Sequence, residues 1–199
     1  MAAQGEPLTR IAYLLIGAGG HAKAVAEAAD ASIGDIVAYV DPSPCDWLRA
    51  AHLVADTDVK ANGISVVMGV GGVTAAQLEA RLALLDAYVG RGHAAPPVIH
   101  PHAHVSPNAR LEAGTIVLAG AVVQPGAVIG RGAIVNTRAV VEHDSVIGEG
   151  SHVAPGSVVL GGCRIGRCTM IGAGAVILPN AAVDDGALVP ALTRHGGKP

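Results

Sequence analysis

Nine histidines are spread through the 199 residues, and one stands where acid–base chemistry could use it. His143 lies between two carboxylates in Val140-Val141-Glu142-His143-Asp144. An imidazole with its ordinary pKa of about 6.5 can accept a proton near neutral pH, and an adjacent carboxylate fixes its tautomer and steadies the imidazolium. Glu142 and Asp144 are equally adjacent, so spacing does not choose between them. Asn136 and His152 bracket the same stretch. No serine or cysteine has a base visibly paired with it, so a covalent intermediate on either is not expected.

A second group sits near the start, in Gly17-Ala18-Gly19-Gly20-His21-Ala22-Lys23. Glycines at a strand-to-helix turn let backbone approach a phosphate where the helix offers free N–H groups. The run is not a full GxGxxG, so a nicotinamide cofactor does not follow. Gly69-Val70-Gly71-Gly72 closes a later apolar run at the same expected sheet edge, where ligands gather. His100, His102 and His104 alternate and would share one strand face, the geometry of a three-imidazole metal site. With no cysteine or carboxylate cluster beside them they read as a solvated strand edge, and no metal is expected.

Composition narrows the classes. Hydrophobic residues make up 51 % and mean hydropathy is +0.47, which suggests a membrane protein. The longest uncharged run, 113–130, contains Gln124, Pro125 and four glycines, so it is no spanning helix. Arg10 ahead of Ile11–Ile16 resembles a short export leader, but Glu6 and the following glycine turn argue against one. A net charge of −3 with no basic block excludes nucleic acid as the expected partner. Three cysteines (Cys45, Cys163, Cys168) without a CxxC pair point to a reducing cytoplasm.

The elements that must position these groups fall either side of Pro96-Pro97. All four aromatics (Tyr13, Tyr39, Trp47, Tyr88) and most acids precede it, while six of nine histidines follow it. Residues 1–97 alternate strand-like runs (11–16, 36–40, 64–70) with helix-prone stretches (21–30, 74–85), which predicts a small α/β domain on a parallel sheet. From Ile99 to Val189 every sixth residue is Ile, Val or Leu, sixteen in succession without a frame slip. A small residue (Ala, Ser, Thr or Cys) lies two places before each following member, commonly preceded by Gly or Asn. Six residues make a short strand and a corner, and three such sides close a coil of eighteen that stacks as a solenoid. Residues 98–190 form this domain and 191–199 read as a disordered tail. A narrow interior stacked with Val and Ile accounts for the missing Phe, and outward aliphatics such as Val122, Val128, Ile134 and Val140 suit oligomer contacts. Gly161 stands one coil beyond His143, where its N–H could meet a developing oxyanion.

The repeat resembles the left-handed parallel β-helix of the hexapeptide-repeat acyltransferases. Together with the Gly17–Lys23 loop and the Asn136–Gly156 stretch, it resembles the acetyltransferases of nucleotide-activated amino sugars, grouped with the sialic-acid O-acetyltransferases. The resemblance implies a homotrimer with acetyl-coenzyme A (acetyl-CoA) in the cleft between neighbours, and no metal. It implies His143 as catalytic base, Asp144 rather than Glu142 as its partner, and Asn136 and His152 facing the sugar. It further implies that Gly17, Gly19, Gly20, His21, Asp41 and Gly71 hold the nucleotide sugar, and that Ala173 meets the adenine end of acetyl-CoA. The expected activity is N-acetylation of the 4-amino group of a nucleotide-linked 4-amino-4,6-dideoxy sugar. O-acetylation of a sialic-acid-type or other hydroxyl, a γ-carbonic-anhydrase-like hydratase, and a non-catalytic sugar-nucleotide-binding trimer are the alternatives. Two departures stand out. Gly71-Gly72-Val73-Thr74 replaces the family's Gly-Asp/Asn-Asn with its early Arg, and the chain stops before the family's Gly-x-Pro-Ala-Lys ending.

Overall fold

A computed structural model of the chain describes residues 10–32, 34–55, 59 and 61–197. The N-terminal unit has β1 (Ile11–Ile16), α1 (Gly20–Ala31), β2 (Gly34–Val40), β3 (Ala51–Leu53), β4 (Ser65–Met68) and α2 (Ala75–Gly90). Its four strands are parallel in the order β3-β2-β1-β4. β3 had no sequence signature: Ala51-His52-Leu53 is short, with neither alternation nor β-branched residues. Alanine lets α1 lie close on the sheet, with Ala22, Val25, Ala26, Ala28 and Ala29 buried. α2 begins at a capping box: Thr74 Oγ1 accepts from Gln77 N (3.3 Å) and Gln77 Oε1 accepts from Thr74 N (3.3 Å).

From Val98 to His195 the chain winds as a three-sided parallel β-helix of two-residue strands. Partners lie eighteen residues apart, one coil. The first face carries Ile116, Ile134, His152 and Met170 outward. The second carries Val122, Val140, Val158 and Val176, and the third Val128, Val146, Arg164 and Ala182. Inside, Val117, Val123, Ile129, Val135, Val141, Ile147, Val153 and Val159 are all fully buried. The small position supports the corner. Ser145 Oγ donates to Leu160 O (2.8 Å), Ser151 Oγ to Gly166 O (2.7 Å) and Thr169 Oγ1 to Asp184 O (2.8 Å). Corner residues take positive φ, mostly glycine, but also Arg138, Asp144, Cys168, Asn180 and Leu192.

The repeat runs further than the sequence indicates. Arg194–His195 pairs with Val176–Ile177, so the expected disorder after 190 does not extend to these residues. His195 occupies the inward position with its Nε2 3.1 Å from Ala182 O, a polar stopper where the aliphatic column ends.

Two hydrophobic cores result. One is the solenoid interior. The other joins the sheet and both helices to the first face through Leu78, Leu82 and Leu85 against Ile116, Leu118, Cys168 and Met170. The N-terminal unit therefore covers the first face as far as Met170, leaves Leu188 beyond it exposed, and leaves the other two faces uncovered.

Candidate active site

His143 lies on the corner that joins the second face (Val140–Val141) to the third (Val146–Ile147). Asp144 takes the left-handed conformation there (φ 59°), in the column where Gly126 and Gly162 stand one coil away on either side. That turn aims its carboxylate at the ring, and His143 Nδ1 donates to Asp144 Oδ2 at 2.9 Å. Glu142 instead accepts from the backbone N–H of His143 at 3.4 Å. The ring is thus held as the Nδ1–H tautomer, with the Nε2 lone pair free. The hydrogen bond to Asp144, and after it the charges of Asp144 and Glu142, raise the His143 pKa above the ordinary 6.5. Both side chains are exposed, 64 % and 75 %, so salt will weaken the charge effect.

Nε2 faces Gly161. A methyl group on Gly161 would lie 2.6 Å from Nε2 and 2.7 Å from Cε1, so only glycine leaves the ring its place. The Gly161 carbonyl accepts from Asn180 N (3.0 Å), while its N–H donates to no group among the described residues. Around it is an open cleft of about 440 Å³, lined by Glu142, His143, Asp144, Leu160, Gly161, Gly162, Pro179 and Asn180. A free base, a free backbone donor and an open volume adjoin.

A second cluster forms where the N-terminal unit meets the first face. Gly17 is at φ 85° and packs on Val70, whose N–H donates to Ile16 O (2.9 Å). Asp41 shapes this turn, accepting from Ala18 N (2.8 Å) and Ser43 N (3.0 Å). Gly19 caps α1 without a side-chain acceptor, and space beside Gly19 and Gly20 is open. No acidic residue occupies the first turn of α1, so the N-terminal N–H groups can take an anion. The His21 ring lies on Gly71 (3.4 Å to its added Cβ position) with its centroid 6.2 Å from that of His152. Burial, then the neighbouring His152 and Arg81, push the His21 pKa down to about 4.

His152 ties the two units together. Its Nδ1 donates to Gly72 O (2.8 Å), and its Nε2 accepts from Asn136 Nδ2 (2.9 Å). Asn136 Oδ1 accepts from Thr137 N (2.7 Å), which fixes the amide's orientation. His152 is 6 % exposed, and burial lowers its pKa.

The sequence-predicted residues therefore separate into two places. His143, Asp144, Glu142 and Gly161 share the second corner cleft. Gly17, Gly19, Gly20, His21, Asp41, Gly71, Asn136 and His152 gather around the junction on the first face. Ala173 lies on a third site, the corner between the first face (Met170–Ile171) and the second (Val176–Ile177). His100 is buried, with Nδ1 accepting from His102 N (3.0 Å). Among the described residues no group of three His, Cys, Asp or Glu side chains could hold a metal ion, and no helix is long and apolar enough to cross a membrane.

Sequence reasoning missed Arg81, Trp47 and Asn180. Trp47 Nε1 donates to Ala18 O (3.1 Å), buttressing the glycine turn, and Lys23 Nζ lies 5.9 Å over its ring. Arg81 is 1 % exposed; its Nε donates to Val70 O (2.9 Å) and its Nη1 to Gly132 O of the solenoid. Leu78, Arg81, Leu82 and Leu85 recur at helical spacing, so a cation on the apolar face of α2 was the available signal.

A family profile described as bacterial transferase hexapeptide (six repeats) matches residues 126–161. No curated protein sequence matches the chain. Among solved structures, the acetyltransferase domain of PglB from Neisseria gonorrhoeae FA1090 is 30 % identical, covering 93 % of this chain and 91 % of that one at a TM-score of 0.85. The same domain in complex with acetyl coenzyme A is 31 % identical over 92 % and 89 % of the two chains, at 0.83. PerB from Caulobacter crescentus, in complex with CoA and GDP-perosamine, is 31 % identical over 93 % and 88 %, at 0.84. Similarity of this extent spans both units, including the hand of the solenoid, and the chain belongs to the hexapeptide-repeat, left-handed β-helix acetyltransferases.

Proposed function

We propose that the protein is an acetyl-CoA-dependent N-acetyltransferase acting on the 4-amino group of a nucleotide-linked 4-amino-4,6-dideoxy sugar. The observation that carries this is the His143–Asp144 pair, whose free Nε2 adjoins the unengaged Gly161 N–H in an open cleft. The relatives support the substrates, since one is described with acetyl coenzyme A and another with CoA and GDP-perosamine.

An ammonium cannot attack a thioester, so the acceptor must react as the free amine. As the C–N bond forms at the thioester carbonyl, His143 Nε2 takes the proton that the nitrogen sheds. Asp144 holds Nδ1–H and balances the imidazolium. The Gly161 N–H donates to the oxygen that becomes an oxyanion, a contact of the kind worth about 2.7–4 kcal/mol. Collapse re-forms the carbonyl and expels the CoA thiolate, to which the imidazolium proton is returned directly or through solvent. No serine or cysteine lines the cleft and His143 is assigned to the proton, so the transfer proposed is direct.

Residues 1–97 serve as the sugar-nucleotide domain. The diphosphate meets the open N-terminus of α1 at Gly19 and Gly20, while His21, Gly71, Asn136 and His152 border the sugar. The His143 corner is opposite the first face in the triangular section, so the N-terminal unit of the same chain is turned away from it. A homotrimer resolves this. Packing the second faces, with their ladder of Val122, Val140, Val158 and Val176, sets the His143–Gly161 corner of one subunit beside the Ala173 corner and N-terminal unit of the next. The three free cysteines and the acetyl-CoA supply suit the cytoplasm.

The test is an acceptor panel. UDP- and GDP-linked 4-amino-4,6-dideoxy sugars and matched hydroxyl acceptors are incubated with acetyl-CoA, and products are read by mass spectrometry. Acetylation at the amine, with stoichiometric thiol release, is expected. Acetylation of hydroxyl acceptors alone would overturn the reading in favour of O-transfer.

A further inference from the structure

The loop Gly69-Val70-Gly71-Gly72 has almost no side chains with which to anchor itself. Its backbone makes the contacts instead. An added methyl on Gly69 would lie 2.3 Å from Gly17 O, and one on Gly72 would lie 2.9 Å from Leu78 Cδ2. Beyond the Val70 N–H bond to Ile16 O, what binds its carbonyls decides where it stands. Gly72 O is held by His152, and Val70 O by Arg81 Nε at 2.9 Å. The same guanidinium reaches Gly132 O, on the corner joining the third face to the first, through Nη1. One planar group thus spans a carbonyl of the loop and a carbonyl of the solenoid.

Arg81 is an unusual means to that end. It is almost fully buried, no carboxylate pairs with it among the described residues, and its Nη2 has no partner there. A buried cation without a counter-charge is weak as a stabilising device, and an apolar side chain would suit the face shared with Leu78, Leu82 and Leu85. Its asset is geometric: a rigid fork with donors in two directions, which the point charge of lysine cannot imitate.

We propose that Arg81 is a positioning residue for acetyl transfer, fixing the Gly69–Gly72 loop, and through it the acceptor sugar, against the solenoid. The proposal rests on the reading that this loop edge holds the acceptor. His21 follows the loop because its ring packs on Gly71, so displacing the loop displaces the whole acceptor side. The acetyl-donor cleft at His143 has no contact with Arg81 and is left unaltered.

Arg81→Met and Arg81→Lys test this by kinetics and by amide hydrogen exchange. In Arg81→Met the acceptor KM should rise about tenfold, the loss of roughly one well-made hydrogen bond. The acetyl-CoA KM should stay within about twofold of wild type on the same reasoning. Exchange at residues 69–73 should quicken while the solenoid strands keep their protection. Arg81→Lys should remain impaired toward the acceptor. Full rescue by lysine, an equal rise in both KM values, or unchanged exchange at 69–73 would each overturn the proposal. If wild type acetylates no nucleotide-linked amino sugar, the acceptor reading fails by itself, and the exchange measurement alone decides whether Arg81 holds the loop.

Discussion

His143 and His152 stand nine residues apart on one solenoid and have been given opposite chemistry by what lies around them. At the corner, His143 is open to solvent, its Nδ1 held by a carboxylate and its pKa raised. On the first face, His152 is buried under the N-terminal unit, both ring nitrogens engaged and its pKa lowered. The repeat supplies the same backbone to both. Chemistry is decided by which face of the prism a second unit covers: an uncovered corner keeps a base titratable, and a covered face turns a histidine into a tie.

The sharpest way to break that contrast is to truncate each ring. His143→Ala should lower kcat by about 10²–10⁴, the range for a general base, with no change in melting temperature, because the exposed ring packs on little. His152→Ala should lower stability by about 1–3 kcal/mol, since Gly72 O loses its donor in a buried setting. Thermal melts beside initial rates decide it. If His143→Ala melts early, or His152→Ala leaves stability untouched, the two histidines are not the opposites that their surroundings make them.

Acid distinguishes the same two regions next. His21 has a folded pKa of about 4 against an ordinary 6.5, so at intermediate pH the unfolded chain binds a proton that the folded one refuses. Stability should then fall as pH drops from about 6.5 to 4, by on the order of 3 kcal/mol, and level off below. His152 shifts in the same direction and adds to the slope. His143 has the opposite sign: with a raised pKa it contributes stability below 6.5 that is lost as pH rises through its folded pKa, and its exposure makes that small. Melting temperatures between pH 7.5 and 4.5 should therefore fall less steeply in His21→Gln than in wild type. Parallel slopes would show that the junction is not where acid acts.

Much of the solenoid was legible in the chain, since every sixth aliphatic, every small residue beneath a corner and the Gly or Asn at the bend report local constraints of one coil. The same periodicity located His143 beside a corner and Gly161 one coil above it. What the repeat cannot encode is contact between units distant in sequence. Arg81 to Gly132 spans 51 residues and His152 to Gly72 spans 80, and neither has a local pattern to announce it. The end of the repeat misled for a related reason: His195 breaks the aliphatic series but keeps the strand, because backbone pairing with Ile177 tolerates any side chain at the tip. Adjacency alone left Asp144 and Glu142 equal and only the family resemblance implied Asp144; the turn conformation supplies the physical reason.

That conformation yields the finest test of the comparison. Asp144 takes a φ of 59°, where the same column has glycine at 126 and 162, so a carboxylate that holds the His143 ring occupies a position that the fold would give to glycine. Asp144→Gly removes the left-handed strain of a residue with a Cβ, a relief of up to about 1 kcal/mol offset in part by the greater freedom of unfolded glycine. Stability should be unchanged or slightly higher. The reaction should suffer, because nothing then holds Nδ1–H and the ring loses its fixed tautomer, for a drop in kcat of about tenfold. The acid limb of the rate profile should also move. In the proposed role His143 acts unprotonated, so a raised pKa should confine wild-type activity to higher pH, and without Asp144 the limb should shift downward toward 6.5, with Glu142 left as the remaining carboxylate. Because the pair is exposed, added salt should move the wild-type limb in that direction too and barely touch the variant's. A variant that is less stable, or whose limb coincides with wild type at every salt concentration, would mean that Asp144 serves the corner and not the base.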